Sequence, residues 1–194
     1  MQDMTKSESP STNHAHRLDA IVPVGPHSIH EWRELRLRGL REHPEAFGQT
    51  VESFQATTDE QTLARMQAQQ DIGGFVLAAV SKTGQMLGTV GLALDDAKKT
   101  SHRGMLWGMY VIPEARGQDI GRRLVTELLA RAEKIQGLEQ IHLAVVTTNQ
   151  AALALYTKLG FSVYGTDPRV LKIGEQYFDE HLMVLRTPQG AAGK

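Results

Sequence analysis

The residues best equipped for chemistry lie in one run, Met109-Tyr-Val111-Ile-Pro-Glu-Ala-Arg116-Gly117-Gln118-Asp119-Ile120-Gly121-Arg122. An apolar strand end leads through a short loop into a glycine-flanked turn that opens an amphipathic helix. A helix N-terminus of this kind presents unpaired backbone N–H groups and the positive end of the helix dipole, which suits an anion such as a pyrophosphate. Gly117 and Gly121 let a ligand approach the backbone, and the Arg116 and Arg122 guanidinium groups can bond its oxygens. Spacing alone leaves a second reading open, in which Gly117 only turns the chain and Gly121 only lets the helix pack closely. The run is not a P-loop, since no Gly-Lys-Ser/Thr follows, and its glycines fall at the wrong offsets for a dinucleotide fingerprint.

The elements around this run read as a mixed α/β fold with a mostly antiparallel central sheet flanked by helices. Leu18 to Val24, broken by Pro23 and Pro26, suits an edge strand. Ser28 and Glu31 have capping-box spacing ahead of Ile29, Trp32, Leu35 and Leu40, a helix that Pro44 stops. Its Arg33, Arg36, Arg38 and Arg41 read as a solvated face, with contact to an acidic substrate as the alternative. Phe47 to Phe54 reads as a loop, and Thr58 with Gln61 opens a second helix that Gly73 and Gly74 close. Phe75 to Val80 and Met86 to Leu94 form a hairpin about Gly84, and Met105 to Ile112 leads into the opening run. Leu124, Val125, Leu128, Leu129, Ala132 and Ile135 stripe the helix that follows, which Gly137 stops. Gln140 to Val146 is dense enough in apolar residues for a central strand buried on both faces. Asn149 caps a short helix running to Gly160, with Tyr156 on its apolar face, and Phe161 to Tyr164 pairs with Tyr177 to Leu185.

With 194 residues, 41% apolar and 22% charged, the chain suits one soluble domain. We expect that domain over residues 18–186, with polar tails at 1–17 and 187–194. A formal net charge of −1 argues against non-specific nucleic-acid binding. There is no cysteine, which removes disulfides, thiolate catalysis and cysteine-based zinc sites. His14 and His16 could ligate a metal but read as solvated tail residues, so no metal is expected. No apolar run approaches the roughly 20 residues of a membrane span, and no signal-peptide pattern opens the chain. A cytoplasmic setting without membrane contact follows as the expectation; the oligomeric state is not legible, and a homodimer is compatible.

Two stretches in register resemble the GNAT superfamily of N-acetyltransferases. Val111-Ile-Pro-Glu-Ala-Arg116-Gly117-Gln118-Asp119-Ile120-Gly121 is similar to the family's acetyl-CoA loop, Arg/Gln-x-x-Gly-x-Gly/Ala after a Val-x-Pro strand end. Asn149-Gln-Ala-Ala-Leu-Ala-Leu-Tyr156-Thr-Lys-Leu-Gly160-Phe161 is similar to the second signature. The resemblance covers residues 18 to 186 and implies direct acetyl transfer from acetyl-CoA to a primary amine of a small molecule or protein. Backbone groups of Met109 and Val111 would pair with the pantetheine arm, and Arg116 to Gly121 with Arg122 would hold the pyrophosphate. Asn149 would contact the cofactor, and Tyr156 would protonate the departing thiolate. A non-catalytic acyl-CoA sensor on the same fold is the alternative. Asp119 stands where the family has glycine, so its carboxylate is expected to turn from the pyrophosphate as a helix cap, in preference to pairing with an arginine. Glu52, Asp95 and His102 are candidates for a general base, though amines in this family are often deprotonated through water.

Overall fold

The computed structural model describes residues 16–192; most of the expected N-terminal tail, His14 included, lies outside them. In chain order the elements are β1 (Leu18–Pro23), α1 (Ile29–Glu42), α2 (Val51–Gln55), α3 (Asp59–Asp71), β2 (Phe75–Ser81), β3 (Met86–Leu94) and β4 (Arg103–Val111). They are followed by α4 (Ile120–Ala132), β5 (Gln140–Val146), α5 (Gln150–Lys158), β6 (Ser162–Ile173), β7 (Gln176–Arg186) and α6 (Pro188–Ala192). The seven strands form one sheet in the order β1-β2-β3-β4-β5-β7-β6, antiparallel except between β4 and β5.

That exception shapes the molecule. β4 and β5 pair only through Arg103, Gly104 and Met105 against Gln140, Ile141 and His142, and no pairing follows beyond them. One side of β4 therefore carries no strand from Leu106 onward. A bulge lies in the same stretch, because Gly91 pairs with Trp107 and Thr89 with Tyr110, setting Gly108 and Met109 against Val90 alone. Gly108 sits at φ 66°, the left-handed conformation that such a bulge requires and glycine adopts without penalty.

Helices cover both faces of the sheet. The Trp32 indole of α1 donates to Thr89 Oγ1 at 2.8 Å, whereas a Cβ on the preceding Gly88 would meet Leu124 of α4 at 3.2 Å. Adjacent strand residues face opposite ways, so α1 and α4 lie on opposite faces. Leu77, Leu87, Leu92, Ile120, Leu124 and Leu128 fill the space between, fully buried.

Several expectations are corrected. Ser28 makes no cap bond; its hydroxyl bonds Gly25 across a tight turn at Pro26–Ser28, and Glu31 instead accepts from Met86 N–H. Arg33 and Arg36 are buried, Arg33 against Phe54 of α2 and Asp59 and Thr62 of α3, and Arg36 against Phe47 and Trp107 of β4. Residues 51–55 form a helix capped by Thr50, inside the stretch read as a loop. β6 extends through Pro168, tolerated because the strand is at the sheet edge and irregular between Asp167 and Leu171. Ala144 is exposed, so β5 is not buried on both faces along its whole length. The segment after Arg186 docks where fraying was expected: Thr187 Oγ1 donates to Leu138 O, and Gln189 Nε2 to Glu133 O and Ile135 O beyond the end of α4.

Thr89 joins two layers, accepting from Trp32 and donating to Leu77 O at 2.9 Å in the core. Thr89→Val keeps the shape but orphans both partners, which should cost about 1–3 kcal/mol. Urea unfolding should show a lower midpoint at unchanged slope; an unchanged midpoint would refute this account.

Candidate active site

Where β4 and β5 part, a cleft of about 620 Å³ opens. Its walls come from β4 (Met109, Tyr110, Val111), the 115–121 turn, α5 (Ala152, Leu155, Tyr156) and the segment after α1 (His43, Ala46, Phe47). Arg116, Gly117, Asp119, Ile120, Gly121 and Asn149 line it as well, so the fold brings most of the sequence-selected residues together. Gln118 and Arg122 do not line it, nor do Glu52, Asp95 and His102. Asp95 is occupied in its own loop, bonded to Thr100 Oγ1 and Ala97 N–H.

The turn that opens α4 is a row of free donors. Arg116 N–H closes a short turn onto Pro113 O, and Arg123 N–H makes the first helical bond to Asp119 O. Among the described residues no acceptor faces the N–H groups of residues 117 to 122. Gly117 at φ 75° and Asp119 at φ 63° alternate with their neighbours to turn these groups toward one side. At Gly117 an added Cβ would touch nothing within 4 Å, so glycine answers to backbone conformation there. At Gly121 a Cβ would press on Met109 Cε at 2.8 Å, so this glycine also accommodates packing against the cleft wall.

Asp119 corrects the expectation of a helix cap. It occupies the N-cap position, but in the left-handed conformation its side chain cannot reach back to the helix N–H groups, and it makes no cap bond. Its carboxylate accepts from Arg122 Nε at 2.6 Å and pairs with Arg122 Nη2, which holds the carboxyl below its usual range. The same pairing turns the Arg122 guanidinium out of the cleft. A positive φ at residue 119 also explains why glycine suits this position.

On β4, Ile112 N–H donates to Leu87 O of β3. By strand alternation the backbone groups of Val111 and Met109 face the open side. The Val111 carbonyl is taken by Arg116 Nε at 3.1 Å, and Arg116 Nη2 lies 2.9 Å from His43 Nε2. Arg116 is thus set in place at the cleft mouth. Below it Tyr110 Oη donates to Glu42 Oε2 at 2.5 Å, and Arg38 bridges Glu42 and Glu114. Burial, then the bond to Glu42, raises the Tyr110 hydroxyl, while that bond and Arg38 lower Glu42. His43 and the Glu42–Tyr110 pair were not anticipated; the signal available for Glu42 and His43 was their place at the Pro44 helix stop.

Tyr156 is 5% exposed, its ring edge-on to Phe161 at 5.8 Å, and its hydroxyl has no protein partner among the described residues. Burial raises its pKa, so the hydroxyl keeps its proton. Asn149 Oδ1 caps α5 through Ala152 N–H at 3.1 Å, leaving its amide nitrogen at the cleft.

Comparison with known proteins agrees with this geometry. The profile of the acetyltransferase (GNAT) family matches residues 29–161. The chain belongs to the GNAT acetyltransferase family. It is 32% identical over 131 residues to mycothiol acetyltransferase of Salinispora tropica, covering 68% of this chain and 40% of that protein. It is 37% identical over 153 residues to that of Amycolatopsis mediterranei, covering 77% and 44%. The chain thus spans about two fifths of the length of these relatives. Among solved structures, a GNAT acetyltransferase from Streptococcus pneumoniae matches with TM-score 0.79 and 25% identity, over 87% of this chain and 98% of that one. A Salmonella typhimurium putative acetyltransferase with acetyl-CoA matches with TM-score 0.77 and 21% identity, over 90% and 97%, a likeness of fold.

If the Asp119 carboxylate opposes an anion on this turn, Asp119→Gly and Asp119→Asn should both tighten CoA, by about three- to ten-fold at low salt, and less as salt screens the charge. Calorimetric titration at two ionic strengths checks this. Unchanged or weaker binding in both variants would sink it.

Proposed function

We propose that the protein is an acetyl-CoA-dependent N-acetyltransferase that passes the acetyl group directly to a primary amine held in the cleft. The observation that carries this reading is the meeting, in one cleft, of the α4 N-terminal turn with its free N–H groups, the unpaired β4 edge at Met109 and the buried Tyr156 side chain. Acetyl-CoA would supply an activated thioester; the net reaction breaks its C–S bond, forms the amide C–N bond and moves one proton from nitrogen to sulfur.

The residues divide this work. Residues 117 to 122 offer the pyrophosphate backbone donors, with Arg116 as the cation facing the cleft, while Arg122 answers Asp119 instead. The open Met109 backbone suits a ligand that carries its own amides, and Asn149 offers a side-chain amide beside it. Tyr156 keeps its proton at Oη, because burial raises its pKa, and it stands at the cleft as the group that would hand that proton to the departing thiolate. His43 lines the cleft with Nε2 against Arg116 Nη2 and Nδ1 against Glu45 Oε1, so both ring nitrogens are engaged and proton removal from the amine falls to water. Two relatives named for mycothiol favour a small-molecule acceptor. Among the described residues no helix is long and apolar enough to cross a membrane.

Thiol release from acetyl-CoA across a panel of amines tests the reading. Tyr156→Phe should lower kcat by about 10²-fold or more, with KM for acetyl-CoA nearly unchanged. Because burial raises the Tyr156 pKa, the proton stays on, and wild-type kcat should show no alkaline fall up to a pH of about 9.5. CoA binding without thiol release for any amine would instead identify a sensing module.

A further inference from the structure

A second cavity, about 230 Å³, lies on the α1 side of the sheet, between α1, α3 and strands β2 to β4. Trp32, Phe54, Met66 and Trp107 give it apolar walls, and Gln49 and Arg65 lie at its lining. Arg36 of α1 lines it too. Arg36 is 5% exposed, and its Nε and Nη1 are fully buried without a hydrogen-bond partner among the described residues. The guanidinium stacks on the Phe47 ring at 4.3 Å and lies 6.0 Å from the Trp107 ring. No aspartate or glutamate lines this cavity.

This arrangement is costly unless something pairs with it. A buried cation without a counter-ion loses its hydration, which stacking on an aromatic ring offsets only in part, and burial pushes the Arg36 pKa down to about 10. The neighbouring Arg33 shows the satisfied alternative: it bonds Asp59, Thr57 O and Thr62 Oγ1. Arg36 is one helical turn away and has none of these. A planar guanidinium with free N–H groups, flanked by aromatic faces, is complementary to a carboxylate, which accepts two parallel bonds. The cavity also adjoins the cleft. Phe47 borders the cleft and stacks on Arg36, and Trp107 stands two residues before Met109 on β4, a span of about 7 Å.

We propose that this cavity is the carboxylate-recognition half of the acceptor site, so that the acceptor is a small amine bearing a carboxylate and an apolar group, of amino-acid size. The carboxylate pairs with Arg36, the apolar group lies against Trp32, Phe54 and Trp107, and the amine reaches past Phe47 toward Met109 and Tyr156. The proposal rests on the acetyltransferase reading for the role of the amine, but not for binding of the carboxylate.

The two tryptophans of the chain, Trp32 and Trp107, both line this cavity, so their emission reports its occupancy. Three probes separate the groups: L-leucine, leucinol without the carboxylate, and 4-methylpentanoate without the amine. L-leucine and 4-methylpentanoate should titrate the emission, and leucinol should bind at least about ten-fold more weakly. Arg36→Met should keep CoA binding, lose the carboxylate titrations by a similar factor and raise Tm, since it removes an unpaired buried charge. In the thiol-release assay, L-leucine should be preferred to leucinol on kcat/KM. Equal binding of leucinol, no titration by either carboxylate, or full carboxylate binding by Arg36→Met would overturn the proposal. Fast turnover of leucinol over leucine would overturn it while upholding acetyl transfer. Carboxylate titration without thiol release would uphold the cavity while overturning acetyl transfer.

Discussion

The structure depends on a sheet that stops pairing. β4 and β5 run parallel for three residue pairs and then part, so one side of β4 faces a space that no strand fills. Exposed backbone groups at an internal strand edge must be satisfied by water or by a ligand. The bulge at Gly108 and Met109 adds to this, because two residues stand against one and leave groups that β3 cannot take up. α4 connects the two strands, and its N-terminus falls at the mouth of the gap. A single break in pairing thus creates the cleft, exposes an amide-bearing edge within it and aims a helix dipole at its opening.

The turn at 116–121 shows what such a cradle demands of the chain. Six successive N–H groups can stay free of internal partners only if the backbone keeps turning them outward, and left-handed residues at 117 and 119 accomplish this. Gly117 does so without strain. Asp119 does so with a side chain whose charge opposes the ligand sought by the backbone, and Arg122 neutralises it on the outer side. The pairing keeps the donors free but withdraws a cation from the cleft, so an anion bound there, as proposed, would meet backbone dipoles and Arg116.

The features legible in the sequence were those with local causes. Thr58 and Gln61 form the expected capping box, Asn149 caps α5, and Gly160 ends it, because each is a contact within a few residues. The apolar runs of β2, β3 and β4 marked a meander for the same reason. The parting of β4 from β5 has no local signature, since pairing is lost between segments about 35 residues apart. β6 escaped notice beyond Tyr164 because an exposed edge strand lacks alternation, and Gly165, Asp167 and Pro168 imitate a loop. The Asp119 conformation was hidden as well: its identity suggested a cap, whereas its φ was set by the turn around it.

The arginines of α1 teach the sharper lesson. Ile29, Arg33, Arg36 and Leu40 recur at offsets of four, three and four, which is one stripe of a helix. Two charged residues therefore sit in line with two apolar ones, and composition alone marked them as solvent-facing. Burial reveals two different solutions on that stripe. Arg33 is enclosed by Asp59 and Thr62, a closed structural network joining α1 to α3. Arg36, one turn on, is enclosed by aromatic rings that cannot satisfy its N–H groups. Folding gains little by burying a charge in this way, and the carboxylate site proposed for Arg36 would put that cost in stability to use.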